Sequence, residues 1–462
     1  MSTYIRLPQK LIALIIVICS ATLVAIWPLP GTIALRHIIL VIGSLASLFF
    51  LNRYKSYLLA IYAWPIWLLL GFYVWLLFHL AFLSHQPELQ LAELLSIWIR
   101  CLLATTIGVG LGLIIYKTST LHEPDAVWLF SKVLAIIIIG FSGVLIFTLI
   151  GSLSQIIFTD KPLYINHLLP PYKAKVPFVI TNVLLTPLCF ILLLEALRNK
   201  INRWWVLACL TLIAGCLFIS FFVNTKNGMV VLLISFLIFT VNLIFAFFKS
   251  ARWRKIFWVP LMGAIFAGYL GIYTHISTNT AYPPLLLDAK IGADIDHQNH
   301  WKNRNTYPIP INPLGNAVDS STYERAAWFT AGTRLLTENP LGFGLIHHSF
   351  GWLALEKWSD FYKPVGNLRG ATHSGWLDFA LGLGIPGLML VLIPLWSSWY
   401  RSLFQKGIWF SYTSWTIPLL TAAYLTTETA GGHFTELLFF MTAFFCGLTL
   451  STEKSQSNRT VT

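Results

Sequence analysis

The chain has 462 residues, of which 56% are hydrophobic and 11% charged, and its formal net charge is +13. Soluble globular chains carry about 25% charged residues, so water is excluded as the main solvent of this fold. Apolar runs of about 20 residues, enough for a helix to cross a bilayer, recur from Leu11 almost to Leu450.

In chain order the predicted spans are 11–27, 31–51, 57–83, 88–115, 126–158, 176–198, 203–223, 228–248, 256–276, 373–395, 409–426 and 434–450. Arg6 and Lys10 precede the first run as in a signal peptide, but no small-x-small cleavage pattern follows, so it is read as a retained helix. The plan is transmembrane helices over 1–276, a large outer loop over 277–372, further spans over 373–450 and a polar tail over 451–462.

Orientation follows from the basic residues, which concentrate in cytoplasmic loops. With the N-terminus inside, sixteen Lys and Arg fall on the cytoplasmic side, against Lys161, Lys173, Lys175 and Lys226 in the short outer loops. The net positive charge is thus a topology signal that also favours anionic membrane lipids, and no nucleic-acid partner is needed to explain it. All six cysteines lie in apolar runs, where packing is their ordinary role.

The loop between Ser277 and Thr372 is nearly neutral, with eight basic and eight acidic residues. Its first half, through Pro283-Pro284, Pro308, Pro310 and Pro313, reads as irregular chain. Apolar spacing then predicts a helix over Thr322–Glu338, ended by Pro340, a turn at Gly342 and Gly344, and a short helix over Ser349–Lys357. Loops of this length without function are unusual.

At the seam between loop and tenth span stands His373-Ser374, followed by Gly384 and Gly387. A histidine at the membrane surface exchanges protons near neutral pH and suits a general base; it can equally serve only to anchor the helix. Ser374 reads as a helix N-cap, the glycines as sites of close approach, and Asp378 as an ionisable group in an apolar segment that needs a partner. On the predicted loop helix, Arg325 stands three residues before Trp328 and leads into Asn339-Pro340-Leu341-Gly342-Phe343-Gly344. A guidinium there binds phosphate bidentately or simply faces water. Arg36 and Arg100 fall in the outer halves of spans two and four, and Lys226 in an outer turn. Charges at such depth call for something anionic, and together these could collect a pyrophosphate, unless the arginines snorkel to the headgroups. Glu428, His433 and Glu436 cluster in the last outer loop as auxiliary candidates or as ordinary loop polarity. His297, His300, His347 and His348 show no metal-site spacing, and no metal is assigned.

These features together resemble the O-antigen ligase and polymerase superfamily of membrane glycosyltransferases. The likeness rests on the twelve-span plan with one large loop before span ten, on Arg325-x-x-Trp328 with the Asn339–Gly344 run, and on His373-Ser374-x9-Gly384-x-x-Gly387. One departure is Lys226, where many members carry an arginine in a Ser-Arg-Gly-like turn; the charge is kept and the bidentate fork is lost. The resemblance implies an all-α, GT-C-like fold in a bacterial inner membrane with a periplasmic loop. It implies transfer, with inversion, of a glycan from undecaprenyl pyrophosphate to lipid A-core oligosaccharide, without a cofactor. His373 and Arg325 would be catalytic, and Arg36, Arg100, Lys226 and Arg325 would hold the pyrophosphate, with Ser374, Asp378, Trp328, Glu428 and His433 as auxiliaries. A glycan polymerase and a protein O-oligosaccharyltransferase are the alternatives within this fold, and a lipid-linked glycan transporter the alternative from another class.

Overall fold

The computed structural model describes residues 7–120, 124–159, 167–198, 203–248, 283–361, 371–427 and 432–450, with a few positions between 270 and 277. The described chain is all-α apart from an isolated bridge between Ile311 and Ala317. Among the described residues eight helices are long and apolar enough to cross a membrane, or nine with one bent pair, which makes this a polytopic membrane protein.

The first four spans are α1 (Leu7–Ile26), α2 (Ile33–Arg53), α3 (Trp64–Phe82) and α4 (Pro87–Ser119). On α2 the exposed positions Leu35, Ile38, Ile42, Leu45 and Phe49 form one apolar stripe, while Gly43, Ser44 and Ser47 are buried. Lipid rewards apolar surface on the outside and small residues where helices meet. The stretch expected as a single span over 126–158 is the bent pair, α5 (Pro124–Phe141) and α6 (Gly143–Thr159), with a 48° turn between them. Gly140 and Gly143, on either side of the break, lie against Ala21 and Ala25 of α1. Three further spans follow, α7 (Val176–Arg198), α8 (Arg203–Phe222) and α9 (Lys226–Phe248). The expected span at 256–276 lies almost wholly outside the described residues, as does the tail.

Among the described residues three helices build the large loop: α10 (Leu285–Ala293), α11 (Ser320–Glu338) and α12 (Ser349–Lys357). The last two match expectation, whereas α10 falls in the stretch read as irregular. Its cause is tertiary. Buried Asp288 accepts hydrogen bonds from Asn312 Nδ2 at 3.0 Å and from the Asp319 N–H at 2.8 Å, and Gly292 lets the Tyr323 carbonyl press against the helix. Asp319 in turn caps α11 by accepting from the Thr322 N–H at 3.2 Å. Trp328, Leu335, Phe343, Phe350 and their neighbours form a second hydrophobic core, completed by Leu377 and Leu381 from the membrane helix that follows.

That helix is α13 (Gly375–Leu403), succeeded by α14 (Ile408–Thr426) and α15 (Gly432–Leu448). Helix α14 is less apolar than the spans above because protein, more than lipid, surrounds it: Tyr412, Thr413, Thr416 and Leu420 are all buried. Helix α15 packs on α4 through small residues. A side chain at Gly108 or Gly112 would overlap the Phe440 or Phe444 carbonyl, and one at Gly447 would meet Val109.

Candidate functional site

The entry to α13 is a turn built around His373, whose backbone is left-handed at φ +60°. Non-glycine residues adopt this conformation rarely, and here both flanks are tied. The Thr372 N–H and hydroxyl donate to Asp378 Oδ1 at 2.6 and 2.8 Å, and Thr372 Oγ1 accepts from the Ser374 N–H at 3.2 Å. The Gly375 N–H donates to the Thr427 carbonyl at 3.0 Å, which satisfies a first-turn donor of α13 from the end of α14. Ser374 occupies the N-cap position but makes no side-chain capping bond, and its hydroxyl is buried. The Asp378 carboxylate expected to need a partner finds one in Thr372. The imidazole of His373 stacks on the indole of Trp328, with centroids 5.2 Å apart and planes 24° apart.

The glycine pattern after His373 is a docking seam. Helix α13 breaks at Gly384, with φ +74° and ψ +172°, and the freed backbone pairs with the Asn339–Gly344 run. The Phe343 N–H donates to Leu381 O at 2.8 Å, the Gly344 N–H to Gly382 O at 2.7 Å, and the Ile385 N–H to Pro340 O at 2.9 Å. A Cβ on Gly342 would overlap the backbone at Gly384, and one on Gly384 would overlap Leu341. From α3, Trp75 Nε1 donates to Leu383 O at 2.8 Å across Gly387, and His79 Nε2 lies 3.0 Å from Leu341 O. The two most distinctive sequence patterns of the chain are thus the two halves of one contact.

The cations fall into two groups. In the first, Arg100 Nε lies 2.7 Å from Glu436 Oε1, while Trp27 Nε1 donates to Glu436 Oε2 at 2.8 Å and Arg36 Nη1 to Trp27 O at 3.2 Å. Arg100 also donates to His37 Nε2 at 3.2 Å, and His433 is within electrostatic reach of both arginines. An anion for the two arginines is therefore supplied at least in part from within, by Glu436. In the second group Lys226 Nζ lies 3.7 Å from Asp319 Oδ2, at the head of the helix that carries Arg325 and Trp328. Lys175 Nζ donates to Asn224 O at 3.0 Å. Partial burial first, then the nearby charges of Lys226 and Arg325, hold the Lys175 ammonium below the usual lysine range. Arg325 itself is exposed, one helical turn from Trp328.

The chain at 426–427 joins the turn of Lys226 to the turn of His373. Asn227 Nδ2, in the turn of Lys226, donates to Thr426 O at 2.8 Å, and the adjacent Thr427 O holds Gly375. The turn of Lys226 and the turn of His373, whose ring stacks on Trp328, thus share this segment. Glu428 lies outside the described residues. Two residues are absent from the sequence-based list. Lys175 resembles any loop lysine until the fold sets it beside two other cations. Glu93, inside an apolar run, accepts from the Ile346 and His347 N–H groups at 2.8 and 3.0 Å and fastens the loop to α4; an acid within a predicted span was the available signal. Among the described residues no cluster of three potential metal ligands occurs. No protein-family model matches the chain, and no curated protein matches it.

Proposed function

We propose that the chain is an inverting membrane glycosyltransferase of the O-antigen ligase type, with twelve spans in a GT-C-like bundle in a bacterial inner membrane and its loop in the periplasm. Its reaction would join an undecaprenyl-pyrophosphate-linked glycan to lipid A-core oligosaccharide, a step of lipopolysaccharide assembly at the cell envelope. The observation that carries this reading is the stack of His373 on Trp328, on the helix that also carries Arg325, together with the nearby charges of Lys175, Lys226 and Arg325 and the Lys226–Asp319 pair at the head of that helix. A base and a group of cations at the rim of an apolar bundle are what transfer from a lipid pyrophosphate requires.

In this mechanism His373 accepts the proton of the acceptor hydroxyl as its oxygen attacks the anomeric carbon. The bond from that carbon to the phosphate oxygen breaks, and the electron pair leaves with undecaprenyl pyrophosphate. Arg325, Lys226 and Lys175 stabilise the departing charge. Arg36 and Arg100, which face Glu436, would add their charge toward the same anion. The donor is already activated, so the reaction needs no nucleotide or other cofactor.

A deletion strain tests the substrate assignment. Full-length polymer left on the lipid carrier, with bare core, is expected. Single repeat units attached to core would identify a polymerase instead, and loss of glycan from protein alone would identify an oligosaccharyltransferase. For the base, the purified His373→Ala protein is expected to retain its fold and lose transfer; undiminished transfer would remove the assignment.

A further inference from the structure

We propose that Asp378 and Thr372 are a positioning pair that sets the direction of the His373 imidazole, an inference that rests on the reading of His373 as the base. Three tied points surround this residue. Thr372 before it is held twice by Asp378 Oδ1, at 2.6 and 2.8 Å. Ser374 after it donates its N–H to Thr372 Oγ1 at 3.2 Å, and its carbonyl accepts from the Asp378 N–H at 2.9 Å. Residues 372, 374 and 378 thus close a ring of hydrogen bonds, with His373 at its crest in a left-handed conformation that an unrestrained histidine rarely takes.

The pair is also fixed to the loop. A Cβ on Gly332 of α11 would lie 2.8 Å from Thr372 Cγ2 and from Leu377 Cδ2, so this glycine makes room for both. Trp328, one turn earlier on α11, stacks on the imidazole. Thr372 therefore joins two roles in one side chain: its oxygen shapes the turn, and its methyl sets the distance between α11 and α13. Asp378 lies in the first turn of α13 and acts through the backbone at 372, without entering the reaction.

The role asked of Asp378 is that of a hydrogen-bond acceptor, which an asparagine carbonyl also fills. This separates the clamp from a carboxylate needed for its charge. Full-length Asp378→Asn, Asp378→Ala, Thr372→Ser and Thr372→Val proteins in lipid nanodiscs provide the test. The first readout is the rate at which diethylpyrocarbonate modifies His373, followed by peptide mass spectrometry. The second is single-turnover transfer from the lipid pyrophosphate donor.

Asp378→Asn and Thr372→Ser are expected to stay near wild type in both. Asp378→Ala and Thr372→Val are expected to change the modification rate of His373 and to lower transfer about 10²-fold at unchanged donor affinity, the size of loss that misplacing a reacting group brings. Wild-type modification and transfer in Asp378→Ala would overturn the proposal. So would an Asp378→Asn protein as impaired as Asp378→Ala, since charge would then be the requirement. If Asp378→Ala fails to fold, Asp378→Asn and the near-isosteric Thr372→Val decide alone. Failure of the parent reading is seen separately: transfer that survives in His373→Ala removes the base, while the modification rate still reports whether the clamp orients the ring.

Discussion

At the scale of single residues, Lys175 and Glu436 show two ways in which this fold holds a charge. The Lys175 ammonium is disfavoured before any anion arrives, because partial burial and two neighbouring cations hold its pKa below the usual lysine range. An anion reverses the sign of that field, so donor binding raises the Lys175 pKa and takes up a proton at pH values between the free and bound pKa. Donor affinity should therefore fall on the alkaline side before an ordinary lysine titrates, and Lys175→Arg should move that limb upward; a limb unmoved in a pH series of donor binding would count against Lys175 contact. Arg325→Ala should lower kcat/KM for the donor about 10²-fold, the usual loss when one charge-stabilising donor is removed. Unaltered donor kinetics would remove its role. Glu436 is tied by Arg100 and Trp27 at once, and breaking a buried ion pair costs roughly 3–5 kcal/mol, less where one partner keeps some solvent, as Arg100 does. Glu436→Ala should accordingly lower the thermal midpoint more than Trp27→Phe, which deletes one hydrogen bond worth about 1 kcal/mol.

At the scale of elements, the break in α13 and the Asn339–Gly344 run stand or fall together. Gly384 and Gly315 both have positive φ, at +74° and +80°, but a Cβ would overlap Leu341 at the first and meet nothing at the second. Alanine at Gly315 should cost only the left-handed strain of about 1–2 kcal/mol. Alanine at Gly384 adds the overlap and should loosen the outer loop, visible as faster limited proteolysis within it. Equal proteolysis of the two variants would show that the seam does not hold the loop. Helices α11 and α12 are legible in the sequence because their apolar spacing and their stops, Pro340 among them, are local. Helix α10 is not, since Asp288 is explained only by Asn312 and Asp319. The two glycine patterns are visible as patterns, yet their mutual pairing depends on strands of backbone far apart in sequence. The Thr372–Asp378 clamp is hidden for a related reason: spacing reveals an acid below a histidine, and only the turn reveals that the acid grips the residue before it.

At the scale of the molecule, the basic loops predict a direction that labelling can test. The six native cysteines are all buried, so introduced ones should report with little background. Cysteine at exposed Ser321 in the outer loop should react with an impermeant maleimide in intact cells, and cysteine at exposed Ser56 only after permeabilisation; the reverse pattern would invert the topology. The backbone seam has a consequence for how such a protein can be taken apart. The outer body borrows Leu377 and Leu381 from α13 to finish its core, and it lends three hydrogen bonds to mend that helix where it breaks. Neither piece is whole without the other. An excised loop would carry an open apolar wound, and a chimera cut at the apparent membrane boundary would leave both halves torn. The exchangeable unit runs from the loop through Gly387, so a change of specificity by recombination would have to carry part of a membrane span with it.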